Sequence, residues 1–220
     1  MPSKKPPKVT FRYSGVYDHA LYLLTEKHAA LDHDYFVRRK VEALEGVQRL
    51  KKEVLPRLRP YLENMQGLLG VSWESREIIG YILPYSHRPG VVESFSDPLT
   101  LFLKHWEGER LFFFSSEQLL EHLVFEFCRI VQGPLLKTSY YNELGARLKE
   151  RSSQVLSHIL TYAIFKKVVS EEQWRRVVSF KIQSSPHKLA LELAQSFGAD
   201  RILEEAKPYL VKKKHAKQLK

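Results

Sequence analysis

Apolar residues recur at threes and fours toward both ends of this chain and crowd into short β-branched runs in its middle. Over residues 17–31, Ala20, Leu21, Leu24 and Leu31 fall near helical spacing after a turn at Ser14-Gly15, which predicts a first helix. Over residues 34–55, Phe36, Val37, Val41, Leu44, Val47, Leu50 and Val54 set out an apolar face, and Arg38, Arg39, Lys40, Lys51 and Lys52 mark a wet one. Pro56 and Pro60 are expected to limit that second helix.

The pattern then shortens. Glu77-Ile-Ile-Gly-Tyr-Ile-Leu83 is β-branched and stopped by Pro84, as a buried strand would be. After a loop containing Pro89-Gly90, residues 99–104 and 110–115 flank Glu107-Gly108-Glu109, a compact turn, and are expected to pair as a hairpin. In Phe112-Phe-Phe114 the outer two rings share one face and the middle ring the other, which implies a sheet covered on both sides rather than an open platform for stacked bases. Ser115 or Ser116 can cap the next helix, which should run to about Gln132 before Gly133-Pro134. Helix is expected again over 140–169 with a break near Gly145, over 171–178, from Ser185-Pro186, and over 200–211 beyond Gly198. This order predicts an α+β fold with a helical N-terminal region, a small central sheet bearing a hairpin, and a helical C-terminal half.

Composition changes that picture little, but charge divides it. A hydrophobic share of 44% over 220 residues is enough to close a core without covalent staples. The one cysteine, Cys128, lies among Leu123, Val124, Phe127 and Ile130, which excludes an internal disulfide and predicts a buried thiol. With no apolar run of signal-peptide or bilayer length, the chain is expected to be cytoplasmic, without a membrane partner. The net charge of +10 comes almost entirely from three lysines in residues 1–9 and six in residues 206–220, neither stretch holding an acid, which leaves +1 for residues 10–205. We therefore divide the chain into a basic tail (1–9), a single α+β domain (10–205) and a second basic tail (206–220). Lys4, Lys5, Lys8, Lys212, Lys213, Lys214 and Lys217 could hold nucleic-acid phosphates through counterion release; the competing reading is a pair of solvated tails.

The chemistry-bearing stretch is residues 117–129, Glu-Gln-Leu-Leu-Glu-His-Leu-Val-Phe-Glu-Phe-Cys-Arg. Phe95-Ser-Asp-Pro-Leu-Thr100 precedes it and Ser157-His-Ile-Leu-Thr-Tyr-Ala-Ile-Phe-Lys-Lys167 follows it. Together, over residues 76–168, these resemble a zincin-type metallopeptidase, in which strands lead into a helix carrying His-Glu-x-x-His. Set on Leu119-Leu120, the five motif positions hold Glu121, His122, Leu123, Val124 and Phe125. Glutamate replaces the first histidine, histidine the catalytic glutamate, and phenylalanine the second ligand, so the usual zinc-bound water with a glutamate base is not available. The resemblance thus implies a zincin-like domain without the reaction, a binding or scaffold module for an unknown protein partner, with no cofactor expected.

An alternative is an atypical metal-dependent hydrolase. His122 and Glu126 are four residues apart, one helical turn on one face, and His158 or Glu143 could complete a zinc site. Arg129 shares the wedge of His122 and Glu126, and a helical wheel puts that wedge in water, opposite Leu119, Leu120, Leu123, Phe127 and Val131. A solvated His/Glu pair is the competing reading. Nucleophilic catalysis finds no support, since Cys128 is on the apolar face and no Gly-x-Ser-x-Gly elbow or phosphate-binding glycine loop occurs.

Overall fold

The computed structural model describes residues 5–25, 33–86, 94–181 and 185–216. In chain order its elements are β1 (Lys8–Arg12), α1 (Gly15–Thr25), α2 (His33–Arg49), a π-helical turn (Leu50–Val54), α3 (Leu55–Leu69), β2 (Glu77–Leu83), β3 (Ser94–Ser96), β4 (Leu99–Phe102), β5 (Lys104–Glu107), β6 (Arg110–Phe113), α4 (Ser116–Ile130), a 3-10 segment (Gly133–Lys137), α5 (Tyr140–Leu148), α6 (Ser153–Val168), α7 (Glu171–Lys181), α8 (Ser185–Phe197) and α9 (Ala199–Ala216). The protein is α+β, and no helix among the described residues is long and apolar enough to cross a membrane. Lys8 and Val9 are the first residues of β1, and α9 runs through residue 206 to Ala216. The chain divides into two compact units, one of Pro7–Arg59 and Ser75–Glu126, the other of Met1–Pro6, Pro60–Glu74 and Phe127–Lys220.

The first unit is built on a four-stranded sheet of order β1-β2-β4-β3, in which β1, β2 and β4 run parallel and β3 pairs antiparallel at the edge. Phe11 lies opposite Gly80 in the register, and a Cβ on residue 80 would sit 2.3 Å from the Phe11 ring. Glycine there lets the ring lie flat over β2 and stay buried. All four residues of β4 are buried, which is how a strand covered on both faces reads. The hairpin turns about Gly108 as expected, but its strands are β5 and β6; residues 99–102 belong to the other sheet. The break comes at Leu103, whose N–H turns to the carbonyls of Leu83 and Pro84. Phe112 and Phe113 are exposed on β6 and only Phe114 is buried, so this sheet is not covered on both sides.

Helix α2 turns inward only part of the face its apolar spacing predicts. Arg39, Ala43, Gly46 and Val47 are buried, while Val37, Val41 and Leu44 face solvent. The cause is Asp18 on α1, fully buried, which accepts from Arg39 Nη2 at 2.7 Å and Nε at 2.9 Å. The same guanidinium donates to the Tyr85 carbonyl at 2.8 Å and lies 4.4 Å from the Tyr85 ring, and Tyr13 donates to Asp18 at 3.1 Å. A bidentate pair with its remaining valences filled is the arrangement that makes a buried arginine tolerable. Nor do Pro56 and Pro60 end the helix: it continues to Leu69. The π turn ends two residues before Pro56 and closes by a bond from Leu55 N–H to the Leu50 carbonyl, widening the backbone where a proline ring would press on the carbonyl four residues back.

In the second unit α6 is buried along almost its whole length and is in contact with α5, α7, α8 and α9. Lys149, in the left-handed region, separates α5 from α6, and Ser152 caps α6 by accepting from Val155 N–H. Gln132 anchors a buried polar network. Its amide donates to the Cys128 carbonyl at 2.6 Å and to Thr161 at 2.8 Å, and its oxygen accepts from Tyr141 at 2.6 Å.

Candidate functional site

Helix α4 starts on a capping box. Ser115 Oγ accepts from Gln118 N–H at 3.1 Å and Gln118 Oε1 accepts from Ser115 N–H at 2.9 Å, so two backbone donors at the helix start are satisfied reciprocally. Ser116 donates to Glu53 on the π turn, Arg49 donates to Ser116 and to the Phe114 carbonyl, and Arg57 pairs with Glu117. Those contacts fix where α4 begins, and hence which way each motif position points.

Of the wedge expected in water, His122 and Glu126 are buried and Arg129 is half-buried. Every residue from 119 to 128 is buried, including Glu121 at 2% exposure, His122 at 4% and Glu126 at 1%. Phe125, which the zincin resemblance sets at the second ligand position, is fully buried, and so is Cys128, as expected. The helix is thus enclosed on all sides over its central turns, where a surface helix shows one apolar stripe. Glu121, His122 and Glu126 each have interaction partners within the structure, as buried ionisable groups require.

His122 is held by rings. Its imidazole lies 4.7 Å from Phe114, and on that same phenylalanine His105 stacks at 4.6 Å with 23° between planes. His105, buried at the hairpin, places Nε2 2.9 Å from the Glu107 carboxylate. It stands opposite Phe112 in the hairpin register, and its burial comes with the stack on Phe114, the first residue beyond β6.

Of the other candidate ligands, His158 and Glu143 lie in the second unit, on α6 and α5. The Glu143 carboxylate accepts from Ser139 at 2.7 Å and from Tyr209. His158 is buried and stacks on His187 of α8 with ring centroids 3.9 Å apart, while Tyr162 and His187 Nδ1 are hydrogen-bonded at 3.0 Å. Burial pushes the Tyr162 hydroxyl well above its usual range. Nothing in the spacing of residues 158 and 187 announces that stack. Among the described residues no group of three or more His, Cys, Asp and Glu side chains is arranged to hold a metal ion.

The candidate phosphate-binding lysines are scattered along the ends of the chain. Lys5 precedes β1 and is exposed, Lys8 is the exposed first residue of β1, and Lys212, Lys213 and Lys214 fall within α9. Lys4 and Lys217 lie outside the described residues. No family model, curated protein or solved structure matches this chain.

Proposed function

We propose that this chain is a zincin-like module without the peptidase reaction, acting as a binding or scaffold protein for a protein partner. Phe125 carries the reading: a fully buried phenylalanine stands where a zinc peptidase needs its second histidine. The enclosure of residues 119–128 supports it further, since a catalytic zinc keeps one coordination position open to water and substrate. The test is thermal unfolding of the full chain in excess zinc and in chelator. Equal melting temperatures are expected; a stabilisation by zinc that disappears in His122→Ala would sink the reading.

One observation favours a second reading, a metal-dependent hydrolase. His122 and Glu126 are buried one turn apart on α4, and burying ionisable groups together is a habit of functional sites. Zinc would be its cofactor. Peptide hydrolysis that needs added zinc and is lost in Glu126→Gln would establish it over the first.

A further inference from the structure

Helix α2 presents an apolar stripe to solvent. Val37, Val41 and Leu44 are 45%, 52% and 48% exposed, and their spacing of four and three residues stacks them along one face, with exposed Gln48 one turn beyond. The opposite face of the same helix is already occupied: Arg39, Ala43, Gly46 and Val47 are buried there. A surface helix ordinarily gives its outward face to charged residues, so three branched apolar side chains in register mark a surface made to be covered.

The charges beside the stripe say by what. Arg38 and Glu45 are exposed and seven residues apart, close to two full turns, so they lie on the same rim of the stripe with opposite signs. The midpoint between them falls beside Val41. We infer that this face pairs with the same face of a second copy of the chain, antiparallel, about a two-fold axis near Val41. In that arrangement Arg38 of each copy is level with Glu45 of the other, Val37 meets Leu44, and Val41 meets its own counterpart, as a self-complementary two-fold interface requires. Lys40 occupies the other rim, where its long stem carries the ammonium out to water. The interface is small, so the dimer is of the transient class. This inference stands apart from the fate of the zinc motif.

Sedimentation velocity of the full chain, from about 1 to about 500 µM, reads the assembly directly. A concentration-dependent dimer is expected, abolished by Val41→Glu, with Val41→Asn as a second, milder variant; far-UV circular dichroism checks that both remain folded. Arg38→Glu and Glu45→Arg should each weaken the dimer by about tenfold, and the two together should restore it, because the pair is exchanged across the axis. A chain that stays monomeric throughout, or a dimer indifferent to Val41→Glu, overturns the proposal. So does a double variant no better than the single ones, which would remove the antiparallel register.

Discussion

Asp18→Asn is the sharpest probe of what holds the sheet-bearing unit together. The substitution keeps the shape of the side chain and removes its charge, leaving Arg39, 1% exposed, without its counter-ion. Two hydrogen bonds of 2.7 and 2.9 Å lose their ionic character, while the Tyr85 carbonyl and ring can supply only neutral contacts. An exposed ion pair would be worth about 1 kcal/mol or less. Breaking a buried pair from one side costs about 3–5 kcal/mol, because the remaining charge is stranded. For a chain of this size that corresponds to a melting-temperature drop of roughly 6–20 °C, read by calorimetry or by urea unfolding followed through tryptophan fluorescence. Asp18→Leu with Arg39→Met, which removes both charges, should recover most of the loss. A single Asp18→Asn variant destabilised by less than about 1 kcal/mol would refute the claim that this pair orients α2.

Three further outcomes follow from the packing. Gly145→Ala should destabilise by about 1–3 kcal/mol despite alanine's better helix propensity, since its Cβ would sit 2.6 Å from the Glu150 carbonyl oxygen, backbone that cannot step aside; urea midpoints would show it, and a stabilised variant would contradict it. Ser115→Ala should cost about 1 kcal/mol through the lost cap of α4, and Ser115→Asp much less, compared by thermal unfolding. Burial holds the hydroxyls of Tyr140 and Tyr162 well above the ordinary value of 10.0, so each binds its proton more tightly folded than unfolded. Their contribution is present in full below pH 10 and lost as pH rises beyond it, by about 1.4 kcal/mol per pH unit for each group; the part of the tyrosinate absorbance that Tyr140→Phe and Tyr162→Phe remove should therefore grow together with unfolding, not before it.

Local signals in the chain were good guides where a bond is made within a few residues. Residues 77–83, the turn at Gly108, a cap of α4 at the first of the two serines 115 and 116, and Ser185-Pro186 at the start of α8 are all where periodicity and turn chemistry put them. The misreadings have distant causes. Arg39 looked wet because its partner Asp18 lies twenty-one residues away, and with Arg39 inward, Val37, Val41 and Leu44 had to turn out. Residues 8 and 9 read as tail because lysines and prolines surround them; the strand character of residues 8–12 depends on β2, far along the chain. Leu99 pairs with the central sheet and not with the hairpin because the strand is interrupted at Leu103, a single residue whose N–H found other carbonyls. On α4 the helical wheel separated an apolar side from a His/Glu side correctly, but burial on both sides is set by the surrounding fold, to which a wheel has no access.

Under the proposed function, α4 would keep the place of a zinc-peptidase helix without its reaction. Zinc content per chain, measured by plasma mass spectrometry on the purified full chain and on His122→Ala, tests it most directly. The account predicts far less than one zinc per chain in both proteins; one zinc per chain in the parent that is lost in His122→Ala would contradict it.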